Sequence, residues 1–204
     1  MQISLLPDNI EVILASGSPR RRELMAGMGL PFRVGESYSI DEVYPADLPP
    51  HEVPLFLAEL KSEAYPMALA DNQILITADT VVVHDARVIG KPKNREEAIG
   101  ILSALSGSTH EVTTGLMIRN RSAQKTLSDT ARVTFGNLTR EDIGFYVDHF
   151  RPYDKAGAYG IQEWIGYIGI ERIEGSFYNV MGLPTRLLYT GLIEFIKKQY
   201  TDNQ

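Results

Sequence analysis

Apolar positions along this chain alternate between short dense runs and helical spacings. Glu11-Val12-Ile13-Leu14-Ala15 is a compact apolar run bounded by turn residues, which predicts a buried strand. Ser18-Pro19 then opens a helix, with serine at the N-cap, proline at the first helical position and Gly29 just past the end. Leu24, Met25 and Met28 form its inward face. Residues 35–54 carry Pro45, Pro49, Pro50 and Pro54 among Asp41, Glu42 and Asp47, and read as a loop or crossing. A second helix runs from Pro54 to Tyr65, with Leu57, Leu60 and Ala64 at helical spacing and Pro66 stopping it. Ile74–Ile76 and Val81–Val83 predict strand, turn, strand, with polar Asp79-Thr80 between them. Asn94 with Glu97 predicts a capped helix ending near Leu105, before Ser106-Gly107. His110 to Arg119 and Gln124 to Phe135 predict a long antiparallel hairpin joined around Asn120. Thr139 with Asp142 starts a helix to about His149, and a glycine-rich stretch from Gly157 to Gly182 holds short strands around Ile168 to Ile173. Pro184 begins the last helix, packed through Leu187, Leu188, Leu192, Phe195 and Ile196. Strands and helices interleave without a break in composition, so residues 1–204 read as a single α/β domain with a mixed sheet, pinched into two lobes.

Composition narrows the chemistry. With 20 Lys+Arg against 26 Asp+Glu the 204-residue chain has a formal net charge of −6, which argues against duplex nucleic acid or an anionic membrane as partner. Any polyanionic ligand must therefore meet locally concentrated positive charge. The absence of cysteine excludes disulfides, thiolate metal sites and a cysteine nucleophile. The N-terminal stretch lacks a basic region and carries Asp8 and Glu11, so no signal peptide is expected, and a cytoplasmic protein is the default. His51, His84, His110 and His149 show no ligand spacing, and neither a Walker A nor a dinucleotide glycine motif is present.

Several clusters carry candidate chemistry. Ser16-Gly17-Ser18-Pro19-Arg20-Arg21-Arg22 leads from a buried strand into a helix N-terminus, where unpaired N–H groups and the dipole favour an anion. Three arginines in a first turn oppose the dipole, at about 0.3–1 kcal/mol each, which an anion would offset. The plain alternative is a capped helix with a solvated basic face. Asp79, taken to lie at the carboxyl end of an apolar strand, suits a general base or a divalent-cation ligand, or simply an Asx-turn. Lys91, between Gly90 and Pro92, suits a phosphate contact or a surface turn, and Lys61 a helix face. Asp154-Lys155-Ala156-Gly157-Ala158-Tyr159-Gly160-Ile161-Gln162 reads as a functional loop.

In order along the chain stand ASGSPRR, IDE at Ile40–Glu42, ADT at Ala78–Thr80, GKP at Gly90–Pro92, LSGSTHEV at Leu105–Val112, DKAGAYGIQ and GSFYNVMGLP. Together they closely resemble the Maf family of nucleoside triphosphate pyrophosphatases over nearly the whole chain. The resemblance implies a fold related to the inosine-triphosphatase (Ham1-like) group: an elongated mixed β-sheet flanked by helices, in two lobes with a central cleft. It also implies hydrolysis of nucleoside triphosphates to the monophosphate and pyrophosphate, a divalent metal cation (Mg or Mn), and a homodimer. Arg20, Thr80 and Gln162 resemble the subgroup acting on dTTP and UTP rather than the one acting on 7-methyl-GTP. On this resemblance Asp79 is the base for the attacking water, Arg20, Arg21, Lys61 and Lys91 neutralise the polyphosphate, and Ser16 and Ser18 cradle it. Glu42 shares the metal with Asp79. Gln162 offers the amide donor and acceptor that the O4/N3 edge of uracil or thymine requires. Two alternatives stand beside this: a house-cleaning pyrophosphatase for modified nucleotides such as 5-methyl-UTP or pseudouridine triphosphate, and a nucleotide-binding regulator of cell division or septum formation.

Overall fold

The computed structural model describes residues 6–7 and 9–201, so Asp8 and the first five residues of the N-terminal stretch lie outside it. The elements are β1 (Glu11–Leu14), α1 (Pro19–Gly27), β2 (Arg33–Val34), α2 (Val53–Glu63), β3 (Gln73–His84), β4 (Arg87–Ile89), α3 (Arg95–Leu105), β5 (Thr109–Arg119), β6 (Gln124–Phe135), α4 (Arg140–Phe150), α5 (Trp164–Gly169), β7 (Ile170–Glu174), α6 (Phe177–Met181) and α7 (Thr185–Ile196). Among the described residues seven strands form one sheet, in the order β2-β1-β3-β5-β6-β7 with β4 pairing β3. The pairing is mixed, as the alternation of strands and helices predicts: β1 runs parallel to β2 and β3, while β3–β4 and β6–β7 are antiparallel. Among the described residues no helix is long and apolar enough to cross a membrane.

The chain divides into two compact units, with breaks at Asp79/Thr80 in β3, Thr113/Thr114 in β5, Asp129/Thr130 in β6 and Met181/Gly182. The first unit holds β1, α1, β2, α2 and α7. Ile13 on β1 pairs with Leu75 on β3 and packs with Ala15, Tyr65 and Leu69. In this unit α2 lies directly on β5 at Gly115, where a Cβ would overlap the backbone of Pro54 and Leu55. A glycine is thus required by contact, not by its own dihedrals. The second unit packs Leu102 and Leu105 of α3 with Ile143, Tyr146 and Val147 of α4 and with Phe135. Its α4 carries the predicted cap in full: the Thr139 hydroxyl accepts from the Asp142 N–H, and the Asp142 carboxylate accepts from the Thr139 N–H. At α3 only half of the expected box forms. Asn94 caps Glu97, but the Glu97 carboxylate takes the N–H of Lys93 instead.

Two sequence expectations give way. The predicted turn at Asp79-Thr80 does not exist, because β3 runs unbroken for 12 residues through both positions. No glycine or proline interrupts the run, β-branched threonine at 77 and 80 favours extension, and the inward Thr77 hydroxyl is satisfied by the Ala58 carbonyl at 2.6 Å. The turn comes instead at Asp85-Ala86, with φ of 49° and 58°. Around residues 168–173 the expected short strands are a helix, α5, followed by a single strand, β7. Gly166 is what this helix requires at its contact with the preceding segment, since a Cβ there would overlap the Ile161 carbonyl.

Candidate active site

The first unit gathers Ser16, Ser18, Arg20, Arg21, Glu42, Lys61 and Asp79; Thr80, Lys91 and Gln162 belong to the second. At the centre of the first set is an ammonium between two carboxylates. Lys61 Nζ lies 2.5 Å from Asp79 Oδ1 and 2.7 Å from Glu42 Oε1. The Lys61 and Asp79 side chains are 17% and 12% exposed, while that of Glu42 is 43% exposed, so the triad grades from interior to solvent. Lys61 stands in the last turn of α2. Two side chains satisfy that turn's carbonyls, which a helix end otherwise leaves unpaired. The Tyr38 hydroxyl donates to the Lys61 carbonyl at 2.6 Å, and Arg119 donates to the Ser62 hydroxyl at 2.8 Å and carbonyl at 2.7 Å. A cation suits a helix C-terminus. Burial, reinforced by neighbouring Tyr65, pushes the Tyr38 phenol up to about 12, so it remains a donor at neutral pH. Tyr38 thereby anchors the loop that delivers Glu42, and neither it nor Arg119 carries a motif that sequence reading would single out.

The serine–arginine turn is largely occupied with its own backbone. Ser16 Oγ accepts from the Ser18 N–H at 3.2 Å, and Ser18 Oγ caps α1 by accepting from the Arg21 N–H at 3.4 Å. Arg21 reaches across to main-chain carbonyls, donating from Nε to Gly182 at 2.8 Å and from Nη1 to Ala78 at 2.7 Å. Burial pulls its pKa down, and the nearby Asp79 and Glu42 charges oppose that shift. Arg22 donates to the Gly17 carbonyl at 2.9 Å. Arg21 and Arg22 therefore have partners within the chain, and a dipole-opposing arginine run does not by itself require an anion.

In the second unit Thr80 continues β3, and Lys91 lies exposed just after β4. Gln162 lines a cavity of about 320 Å³ with Ile161, Tyr167, Ile170 and Phe177. Its side-chain Oε1 is buried and has no hydrogen-bond partner among the described residues. Lys155 is buried and pairs with Asp154 at 2.8 Å and with Glu163 at 3.1 Å. His110 is a core residue, 1% exposed, bonded through Nε2 to the Tyr159 hydroxyl at 2.7 Å.

Among the described residues no group of three or more His, Asp or Glu side chains is placed to enclose a metal ion. The donor set that does exist, Glu42 and Asp79 on one ammonium, is of the kind that magnesium-type cations use. Such ions take one or two carboxylates and complete their shell with water and phosphate oxygens.

The Maf-like protein family matches residues 11–195. The chain is 51% identical over 193 residues to the dTTP/UTP pyrophosphatase of Porphyromonas gingivalis, covering 92% of this chain and 97% of that protein. It is 50% identical over 185 residues to the dTTP/UTP pyrophosphatase of Parabacteroides distasonis, with 91% and 96% covered. Among solved structures, a HAM1 protein from Coxiella burnetii is similar with a TM-score of 0.47 at 16% identity, over 91% of this chain and 99% of that one. With the family matched across nearly its whole length and curated relatives identical at half of their positions, this chain belongs to the Maf family.

Proposed function

We propose that this protein is a nucleoside triphosphate pyrophosphatase that converts dTTP and UTP to the monophosphate and pyrophosphate. The observation that carries the reading is the Glu42–Lys61–Asp79 triad, in which a mid-strand carboxylate is held against an ammonium at 2.5 Å. Support also comes from relatives named dTTP/UTP pyrophosphatase at about half identity. Asp79 accepts a proton from the attacking water as that oxygen bonds to the α-phosphorus. The bridging bond to the β-phosphate breaks, and the electron pair leaves with pyrophosphate. Arg20, Lys61 and Lys91 oppose the charge that develops on the leaving group, and charge held in place ahead of the reaction lowers its barrier without reorganisation. Arg21 acts beside them by bracing the Ala78 carbonyl, one residue before the base. Ser16 and Ser18 shape the turn at the α1 N-terminus where phosphate oxygens meet backbone N–H groups.

Glu42 and Asp79 hold a magnesium or manganese ion in this reading, and the ion supplies charge neutralisation and orientation of the phosphates. Gln162, with Thr80, reads the pyrimidine edge: its buried, unpartnered Oε1 is an acceptor, and N3–H of uracil or thymine is a donor. Assembly as a homodimer and a cytoplasmic location belong to the same reading.

The test is a nucleotide panel with Mg²⁺, Mn²⁺ or EDTA, identifying products as monophosphate plus pyrophosphate. The panel holds dTTP, UTP, 5-methyl-UTP, pseudouridine triphosphate, CTP and 7-methyl-GTP. Cleavage of 7-methyl-GTP without cleavage of dTTP or UTP overturns the substrate assignment. Asp79→Asn turning over at the wild-type rate overturns the role of the base. Light scattering on the same preparation checks the dimer.

A further inference from the structure

Gln162 sits on a turn with an unusual fastening. The Glu163 N–H donates to the Gly160 carbonyl at 3.0 Å, making residues 160–163 a β-turn with Ile161 and Gln162 at its centre. One hydroxyl fastens both ends of that turn. Tyr146, fully buried on α4, accepts from the Gly160 N–H at 3.0 Å and donates to the Glu163 carboxylate. The other oxygen of that carboxylate is 3.1 Å from the buried Lys155 ammonium, so its charge is compensated. A Cβ at Gly160 would stand 2.7 Å from the Glu163 Cδ, so a side chain there would displace the Glu163 carboxylate. Within the turn Gln162 Oε1 is buried without a partner among the described residues. With no hydrogen bond of its own, Oε1 is held by the packing that buries it and by the turn that carries it.

We infer that Tyr146, Glu163 and Lys155 form a clamp that fixes the orientation of Gln162 and thereby sets discrimination between pyrimidine bases. This rests on the proposed reading of Gln162 as the base contact. The three are positioning residues that touch the turn and not the nucleotide. A strongly raised Tyr146 pKa, due first to burial and then to the bond with Glu163, keeps the phenol protonated as the shared donor. Cytosine is the informative competitor because it presents an acceptor at N3 and an amine at position 4, the reverse of uracil. A rigidly held amide distinguishes the two, whereas an amide free to rotate by half a turn serves both.

The experiment measures kcat and KM for UTP and CTP on the full-length enzyme with Mg²⁺, for wild type, Tyr146→Phe, Glu163→Gln and Gln162→Ala. The clamp predicts that Tyr146→Phe lowers the UTP/CTP ratio of kcat/KM at least tenfold, mainly by raising KM for UTP, and that Glu163→Gln lowers it in the same direction. Loss of folded protein scales both substrates together and leaves the ratio unchanged, so a merely structural role does not imitate this result. If Gln162→Ala abolishes discrimination while Tyr146→Phe and Glu163→Gln keep the ratio within twofold of wild type, the clamp is overturned and the base contact stands. If Gln162→Ala itself keeps the wild-type ratio, the base contact is wrong and the clamp falls with it.

Discussion

Acidification should destabilise this protein through one residue that takes no part in the proposed chemistry. His110 is 1% exposed, stacks on Phe135 at 5.5 Å, and meets Tyr159 edge-on at 5.4 Å. Burial first, and the charge of His84 second, bring its pKa down from 6.5 to about 4. The sign follows from which state binds the proton. Between pH 6.5 and 4 the unfolded chain protonates this imidazole and the folded chain does not, so stability is complete above 6.5 and falls as pH drops towards 4. At 1.36 kcal/mol per pKa unit the full loss is about 3 kcal/mol, of which about 2 kcal/mol is reached at pH 5. That is a large share of a typical stability of about 5–15 kcal/mol. The carboxylates whose pKa values are lowered, Glu11 beside Gln73, Asp142 beside Thr139, Asp148 beside Arg95 and Glu194 beside Lys125, lose their partners' support at lower pH. Urea titrations at pH 7 and pH 5, followed by the fluorescence of the single tryptophan, Trp164, isolate the histidine. His110→Phe loses the bond to Tyr159 and so starts lower, but its stability should change far less between the two pH values. Equal losses in wild type and His110→Phe would refute the argument.

Three further outcomes follow from the first unit. Gly115→Ala forces α2 off β5 and should destabilise the fold by about 1–3 kcal/mol or more, read as a lowered urea midpoint. Lys61→Met leaves Glu42 and Asp79 without their ammonium and should lower kcat/KM for dTTP about 100-fold or more. Arg21→Lys cannot hold the carbonyls of Ala78 and Gly182 together, and should cost about 1–3 kcal/mol of stability in addition to any loss of activity.

What the sequence disclosed and what it hid follow a physical division. Local chemistry was readable: Ser18 and Thr139 are N-caps, and Asn120 turns the hairpin by accepting from the N–H groups of Ser122 and Ala123. Wherever a distant partner decides the outcome, local reading failed. Asp79-Thr80 looked like a turn because a carboxylate in a buried strand is unfavourable unless paired, and its partner, Lys61, lies 18 positions away on a helix. The ADT string named Asp79, but nothing in it said that the carboxylate stands mid-strand, away from any strand end, and Lys61 lies in none of the strings. The arginine run misled in the opposite direction. Dipole opposition suggested an anion, while Arg21 is engaged with Gly182, 161 positions along the chain. Tyr146 and Glu163 were invisible for the same reason: a tyrosine on an apolar helix face reads as core, and its hydroxyl contact spans 17 positions.

The triad also gives the proposed reaction an electrostatic use for a cation. Counted formally, Glu42, Lys61 and Asp79 sum to −1, and Arg21, whose charge couples to both carboxylates, brings the group to zero before any substrate arrives. A triphosphate approaching this group alone meets no net attraction. A divalent ion on the two carboxylates would turn the sum to +2 and make the interaction attractive. Metal and nucleotide should therefore bind cooperatively, each weaker without the other. Asp79→Asn tests this separately from catalysis, because it raises the metal-free sum to +1. Calorimetry in EDTA should find the variant binding UTP more tightly than wild type although its turnover is lost, and its gain on adding Mg²⁺ should be smaller. Weaker binding by the variant in EDTA would place the phosphates away from this triad and leave the cation requirement without its electrostatic basis.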